Sequence, residues 1–263
     1  MTTTDNTNAS AVVASAADIG MAAEKPPVVL VHGAFADSHG WGQVAARLRA
    51  TGHEVVAVDL PGRPGAPMDP GKVTLDLHRD TVVDAVRALG RPVMLVGHSF
   101  AGIVAAAAAE LVPESIRTLV FVAAYLPRNG DSLVSLAQQD PDAKIGPKLN
   151  IDHEKSIAVV EYSARAELFA NDGPEGLKAK LPDLILDEPL APLATAVSVS
   201  DARFGQIDKV YVRTAMDQVI SPAFQDKMLE ATPVRSTVTL QTGHLPFLTD
   251  PDGLAKAIAG AAE

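Results

Sequence analysis

Short apolar runs alternate with segments of helical periodicity through the first half of the chain. Val28–Val31, Glu54–Leu60 and Val93–Val96 are nearly continuous apolar runs. Between them, Trp41–Ala50 and Thr81–Leu89 place apolar side chains three or four residues apart, which is typical of amphipathic helices. Continuous apolar runs suit strands that are buried on both faces. The alternation therefore predicts a parallel sheet with helical crossovers.

The same alternation continues after residue 99 and resumes near the C-terminus. Phe100–Leu111 predicts a helix that is rich in alanine, and Ile116–Ala124 predicts the next strand. After an interruption, the predicted elements are the strand Lys209–Thr214, the helix Pro222–Ala231, the strand Ser236–Leu240 and the helix Pro251–Ala262.

Residues 127–207 break this rhythm. They are mixed in polarity, have no strong strand pattern and contain short helical patches at Lys155–Ala170 and Glu175–Lys180. We interpret them as a helical cap inserted into a core formed by residues 27–126 and 208–263, where the insertion covers one end of the sheet.

The first 26 residues are rich in Thr, Ala, Ser and Asn, and the weakly apolar stretch Ala9–Ala17 has no Lys or Arg before it. This is a poor match to a secretory signal, so we expect a disordered tail.

Charge, hydropathy and cysteine content exclude several classes of function. The 263-residue chain carries a net charge of −10, which argues against nucleic acid as a partner. No apolar run is long enough to predict a membrane span. The chain has no cysteine, so disulfides and thiolate chemistry are excluded, and we expect a cytoplasmic location. Nothing in the sequence indicates an oligomeric state.

One corner of the predicted sheet carries a candidate nucleophile. In Gly97-His98-Ser99-Phe100-Ala101 a strand turns at once into a helix, which lifts the Ser99 side chain above the sheet edge. This is the nucleophile-elbow pattern Gly-x-Ser-x-Gly, with Ala101 in place of the last glycine. The alternative is a strand–helix turn with an incidental serine.

A serine nucleophile needs a base and a carboxylate that orients the base. Asp217 and His244 both come shortly after predicted strands, where the functional groups of open sheets collect. The chain order Ser99, Asp217, His244 is that of α/β-hydrolases. Asp217 could instead be a turn residue or helix cap. Its rivals as the orienting acid are Asp131, which also follows a sheet strand, Asp201 and Asp208.

Backbone N–H groups should bind the oxyanion of a tetrahedral intermediate. We predict Phe100, at the start of the elbow helix, and Ala34, in the loop after the first strand. His32 is expected to hold that loop by hydrogen bonds, and His98 is expected to pack below the elbow. A solvent-exposed position is the default expectation for the remaining four histidines, His39, His53, His78 and His153. No two histidines have the spacing of a metal site.

Four motifs together resemble the α/β-hydrolase superfamily. They are His32-Gly33-Ala34-Phe35 with Trp41, Gly97 to Gly102, Asp217-Gln218-Val219-Ile220 with Phe224-Gln225, and Gly243-His244-Leu245-Pro246. They are most similar to the branch of plant methyl esterases, hydroxynitrile lyases and bacterial pyrethroid-type carboxylesterases. The resemblance covers the chain from about Pro27 onward. It implies a mostly parallel six-stranded sheet flanked by helices, a small helical cap and no cofactor.

The leading hypothesis is a serine carboxylesterase that acts on small or medium uncharged esters. Phe35, Leu245 and Phe169, together with Phe100 and Leu168, are candidate residues of an apolar substrate pocket, with core packing as the alternative.

Four alternatives remain beside the esterase, and the first is a hydroxynitrile lyase. In related hydroxynitrile lyases a hydroxyl residue replaces the loop glycine and a lysine follows the catalytic histidine, whereas this chain has Gly33 and Leu245 there. Lyase chemistry is therefore disfavoured. A cofactor-free dioxygenase, perhydrolysis as a side activity, and a non-catalytic small-molecule receptor use the same fold.

Overall fold

A six-stranded parallel sheet forms the centre of the protein in the computed structural model, which describes residues 24–263. The strand order is β2-β1-β3-β4-β8-β9, and three further strands lie in the insertion. The strands are β1 (Val28–Val31), β2 (Val55–Val58), β3 (Val93–His98), β4 (Ile116–Val122), β5 (Leu149–Asp152), β6 (Ile157–Val160), β7 (Glu188–Pro189), β8 (Asp208–Thr214) and β9 (Ser236–Leu240).

Helices connect the strands of this sheet. The α-helices are α1 (Gly42–Ala50), α2 (Leu75–Ala88), α3 (Ala101–Leu111), α4 (Leu133–Ala137), α5 (Arg165–Ala170), α6 (Glu175–Lys178), α7 (Leu190–Ala194), α8 (Pro222–Ala231), α9 (Pro246–Thr249) and α10 (Pro251–Gly260). The predicted parallel sheet flanked by helices is confirmed. The predicted tail lies outside the described residues as far as residue 23.

The centre of the sheet is buried as the apolar runs predict. All four residues of β1 and all six of β3 are buried, and each strand is paired on both sides. α3 packs against β3 through a surface of alanines, which lets the helix approach the sheet closely. β3, which leads directly into Ser99, is therefore buried along its whole length.

Helix α2 begins earlier than Thr81. Thr74 caps it by accepting a hydrogen bond from the Leu77 N–H at 3.2 Å, and Leu75 and His78 face the core. The hydropathy pattern did not predict this first turn, because most of its residues are polar and the buried His78 counts as a polar residue in such a pattern.

The insertion between β4 and β8 contains more than helices. β5, β6 and β7 form a small antiparallel sheet, and α4 to α7 surround it. The predicted helical patch at Lys155–Ala170 is wrong in its first half, because Ile157–Val160 pairs with β5 on one side and β7 on the other. Only Arg165–Ala170 is α-helical.

No helix among residues 24–263 is both long enough and apolar enough to cross a membrane.

Candidate active site

Ser99 lies at a sharp corner between β3 and α3. Its φ of 52° is in the left-handed region, which is strained for a residue with a side chain. A Cβ atom on Gly97 would lie 2.6 Å from the carbonyl oxygen of Ala101, and one on Gly102 would overlap the carbonyl oxygen of Tyr125. The corner therefore needs glycine at 97 and 102, and Ala101 fits because the closest backbone approach falls one residue further on.

Three side chains from three different strand ends form a continuous hydrogen-bond chain. His244 Nε2 lies 3.0 Å from Ser99 Oγ, and His244 Nδ1 lies 2.8 Å from Asp217 Oδ2. All three residues are buried. Because the carboxylate can only accept, Nδ1 carries the proton and the Nε2 lone pair faces the serine hydroxyl. This arrangement can transfer the serine proton to the imidazole.

The Asp217 carboxylate is held in place by its own neighbours. Its Oδ1 accepts the N–H groups of Val219 at 2.8 Å and Ile220 at 3.0 Å, and its Oδ2 accepts the Thr214 hydroxyl at 2.9 Å. The Gln225 side chain in turn accepts the Thr214 N–H at 3.0 Å and donates to the Thr214 hydroxyl at 3.1 Å. Gln225 belongs to one of the sequence motifs, whereas no sequence pattern marks Thr214.

The rival carboxylates have other partners. Asp131 accepts the N–H of Arg128 at 2.8 Å in the insertion. Asp208 pairs with Arg235 at 3.1 Å, and Asp201 is exposed. Of the four candidates, the fold brings only Asp217 to His244.

The loop after β1 runs beside the elbow. A Cβ atom on Gly33 would lie 2.7 Å from His98 Nδ1 and 2.8 Å from Ser99 Cβ, so no side chain fits there without displacing the elbow. Among the described residues, the N–H groups of Ala34 and Phe100 have no hydrogen-bond acceptor. These are the two amides that the sequence predicted for the oxyanion.

His32 fixes the same loop from below, as expected. Its Nε2 accepts the Leu60 N–H at 3.1 Å, so its Nδ1 donates to the Gly33 carbonyl oxygen at 2.9 Å. Burial, together with the charge of Arg63, lowers the pKa of His32 to about 3. His32 is therefore a neutral structural residue.

His98 packs below the elbow, as expected. Its Nε2–H donates to the backbone carbonyl of His244 at 2.8 Å, and its ring packs edge-on against the rings of Trp41 and Phe247, with centroids 6.4 and 5.0 Å away. Burial and the proximity of His244 hold the pKa of His98 well below its ordinary value. A neutral His98 thus supports the backbone of the candidate base.

Two of the four histidines expected at the surface are buried instead. His53 lies 2.8 Å through Nδ1 from the Pro26 carbonyl, and His78 lies 3.1 Å through Nε2 from the Pro61 carbonyl. Burial lowers the pKa of His78 to about 4. Residues 24–263 contain no group of three or more His, Asp or Glu that could hold a metal ion.

A cavity of about 280 Å³ opens above Ser99, between the core and the insertion. Its polar lining residues are Ser99, His244, Tyr125 and Asp140. Its other lining residues are Ala34, Phe35, Leu133, Ala137, Ala143, Ile145, Gly146, Pro147, Leu149, Phe169, Leu193 and Val219. No Lys or Arg is among the described residues that line it.

Two of the predicted pocket residues line this cavity. Phe35 and Phe169 line the cavity with their ring centroids 6.2 Å apart. The prediction that Leu245 lines the pocket is wrong. Leu245 directly precedes α9, and its buried side chain belongs to the hydrophobic core and not to the cavity lining. Phe100 and Leu168 likewise do not line the cavity.

Sequence reasoning missed the polar contacts that the insertion makes with the core. Asp140 accepts both the N–H and the hydroxyl of Ser221, at 2.8 and 2.6 Å. Glu188 forms a buried ion pair with Arg63. No local pattern marks these residues, because each contact joins segments that are far apart in the chain.

Comparison with known proteins shows which protein family the chain belongs to. Residues 28–257 match the model of the alpha/beta hydrolase family. With this match, the sheet and the strand-end site, the chain belongs to that family.

Individual relatives indicate which branch of this family the chain resembles. Methylesterase 7 of Arabidopsis thaliana is 28% identical over 257 residues, which cover 89% of this chain and 95% of that protein. A second Arabidopsis thaliana relative, a chloroplastic protein that is also named as a methylesterase, is 29% identical over 242 residues. The present chain spans only 62% of the length of that protein. The crystal structure of a pyrethroid hydrolase from Sphingobium faniae JZ-2 superimposes with a TM-score of 0.80 at 23% identity, covering 90% of this chain and 97% of that one. The resemblance to the esterase branch is confirmed.

Proposed function

We propose that the protein is a serine carboxylesterase that cleaves small to medium uncharged esters through an acyl-enzyme. The observation that carries the proposal is the hydrogen-bond chain from Ser99 through His244 to Asp217 at the floor of an apolar cavity. Methylesterases among the relatives agree with ester cleavage.

In the first half of the reaction, His244 Nε2 takes the proton of Ser99 as Oγ attacks the ester carbonyl carbon. The carbonyl oxygen becomes an oxyanion, which accepts hydrogen bonds from the Ala34 and Phe100 N–H groups. The imidazolium then gives its proton to the leaving alcohol as the C–O bond breaks. Asp217 stabilises the imidazolium and keeps the imidazole in the required tautomer.

In the second half, His244 removes a proton from water, and the resulting hydroxide attacks the acyl carbon. The second tetrahedral intermediate uses the same two amides. It collapses to the free acid, and Ser99 recovers its proton from His244.

The cavity supports the choice of substrate. None of its lining residues within 24–263 has a cationic side chain, and the Asp140 carboxylate lies in its wall, so a substrate with a carboxylate or phosphate group would be repelled and left unpaired. The apolar lining favours alkyl or aromatic groups on both sides of the ester.

The test is hydrolysis of p-nitrophenyl acetate, butyrate and octanoate by the wild type and by Ser99→Ala at matched folded concentration. We expect steady turnover that falls by at least about 10³-fold in the variant. A fluorophosphonate should label Ser99 and stop turnover. Ser236→Ala, which alters an exposed serine on β9, is the control and should retain the wild-type rate.

Equal rates in the wild type and Ser99→Ala would contradict the proposal. Tight binding of an ester with slow turnover would favour a receptor, and oxygen uptake with a substrate would favour a dioxygenase. The hydroxynitrile lyase alternative gains no support, since Gly33 and Leu245 lack the hydroxyl and ammonium groups of the related lyases. The cytoplasmic location stays a prediction.

A further inference from the structure

The loop that carries the Ala34 amide is strained one residue further on. Phe35 has a φ of 62°, a left-handed conformation that an aromatic residue adopts only when its surroundings impose it. The Phe35 ring also lines the cavity, and it lies 6.2 Å from the Phe169 ring. Phe35 is therefore strained next to the Ala34 amide and also contributes its ring to the cavity wall.

Two contacts from one segment of the insertion hold Phe35 in this conformation. The Phe35 N–H donates to Glu188 Oε2 at 2.6 Å, and the Phe35 carbonyl accepts the N–H of Leu186 at 2.9 Å. The segment that ends in β7 thus contacts both backbone polar groups of one core residue.

Glu188 is itself held by Arg63, from the loop after β2. The guanidinium donates through Nη2 to the same Glu188 Oε2 and through Nη1 to the Asp187 carbonyl at 2.8 Å. Glu188 is 0% exposed and Arg63 2%.

This ion pair is poorly suited to stabilise the fold alone. Removing two charges from water is costly, and apolar residues of similar size are often as good or better. In the described part of the chain, Arg63 Nε and Glu188 Oε1 have no hydrogen-bond partner, which adds to the cost. The contact that apolar residues could not replace is the one to the Phe35 N–H.

We propose that Glu188 and Arg63 are positioning residues of the esterase site. We call them, with their contacts to Phe35, the loop clamp. This inference rests on the proposed function. By occupying the Phe35 N–H and fixing Phe35 at positive φ, the loop clamp leaves the Ala34 N–H as the free donor and holds it in the direction that the oxyanion needs. Glu188, which does not line the cavity, thereby takes part in transition-state binding without touching the substrate.

The test replaces the ion pair with apolar residues, so that no buried charge is stranded. Arg63→Met/Glu188→Leu should fold with a Tm close to the wild type, because both charges leave together. Loss of one oxyanion donor lowers kcat by about 10²- to 10³-fold. We expect the kcat of this variant, in which the Ala34 donor is displaced but not removed, to fall by about 10- to 10³-fold, with little change in KM. Arg63→Met/Glu188→Met, with a more flexible side chain, is the second variant if the first fails to fold.

Rescue separates a positioning role from a structural one. In Arg63→Met/Glu188→Gln the amide oxygen can still accept the Phe35 N–H, so most of kcat should return. Binding of a trifluoromethyl ketone, which forms a tetrahedral adduct with Ser99, should weaken in step with kcat/KM in the leucine variant and recover with glutamine. Arg47→Gln/Asp252→Asn, which removes a surface ion pair between α1 and α10, is the control and should keep the wild-type kcat.

Amide hydrogen exchange of Phe35 gives a readout that is independent of turnover. It should be slow in the wild type and faster in the leucine variant. Faster exchange with unchanged kcat would overturn the loop clamp while leaving the esterase proposal intact, as would a fall in kcat matched by a lower Tm without glutamine rescue. A wild type without Ser99-dependent turnover would overturn the esterase proposal itself, and the loop clamp with it.

Discussion

At the scale of single residues, the Asp217 carboxylate accepts hydrogen bonds from His244, Thr214, Val219 and Ile220. One bond to His244 would orient the ring, and the other three fix the carboxylate itself. A carboxylate with this many donors stays in one orientation, so the imidazole does as well.

Asp217→Asn tests this role. The asparagine keeps the shape, but its amide group would face His244 Nδ1 and favour the tautomer in which Nε2 carries the proton. We expect kcat for p-nitrophenyl butyrate to fall by about 10⁴-fold with a nearly unchanged fold. Steady-state kinetics and circular dichroism measure the two effects.

Asp131→Asn is the matched control, because Asp131 also follows a strand of the sheet but accepts the Arg128 N–H. A large loss in Asp131→Asn and none in Asp217→Asn would reverse the assignment.

The site residues differ in how far the sequence reveals them. Ser99, Asp217 and His244 each come just after a strand, and parallel strands bring their ends to one edge of the sheet. Leu245 shows the limit of such reasoning, since a place beside His244 in the chain does not fix the direction of its side chain. Glu188 has no sequence signal, because its role comes from a contact with a distant loop.

At the scale of elements, the elbow depends on two glycines with different neighbours. Gly97 faces the backbone of α3, and Gly102 faces the backbone of the segment after β4. Both neighbours are main-chain atoms that cannot rotate away as a side chain would.

Gly102→Ala should therefore be strongly destabilising. The added methyl group would overlap the Tyr125 carbonyl, and overpacking of this kind costs about 1–3 kcal/mol or more. We expect a lower urea midpoint with an unchanged slope, or an insoluble protein.

The control for this variant is Gly176→Ala on α6, where an added Cβ atom would meet nothing within 4 Å. Helix propensity predicts equal or higher stability, by up to about 1 kcal/mol. Equal stability of Gly102→Ala and Gly176→Ala in urea unfolding would refute the close approach at Gly102.

Helices and strands of the core were predictable because their faces are set by burial against one sheet. In the insertion, Ile157–Val160 forms a strand only because β5 and β7 lie on either side of it. A single segment does not carry the information about its partners, so its periodicity alone favoured a helix.

At the scale of the whole molecule, three buried histidines link stability to pH. Burial lowers the pKa of His32 to about 3 and of His78 to about 4, and it holds the pKa of His98 well below its ordinary value. In the unfolded chain these imidazoles titrate near pH 6.5. Below that pH the unfolded state binds protons that the folded state does not, so the free energy of unfolding falls as pH falls.

His78→Gln removes one of these three imidazoles and so tests its contribution to the pH dependence of stability. Between pH 6.5 and about 4, the free energy of unfolding of this variant should fall less steeply with falling pH than that of the wild type. The two slopes should differ by about 1.4 kcal/mol per pH unit. Urea unfolding at pH 7.5, 6.5, 5.5 and 5.0 gives both slopes. His39→Gln changes a side chain that is 82% exposed and is the control. Parallel curves for His78→Gln and the wild type would contradict the linkage.

The narrow space at Gly33 constrains how this chain could evolve. Any side chain at position 33 would meet His98 and Ser99 first. A mutation at position 33 would therefore disturb Ser99 and His98 whatever new group it introduced. The elbow and His98 must move before position 33 can accept a side chain, so a change at position 33 is open to this chain only after changes in its neighbours.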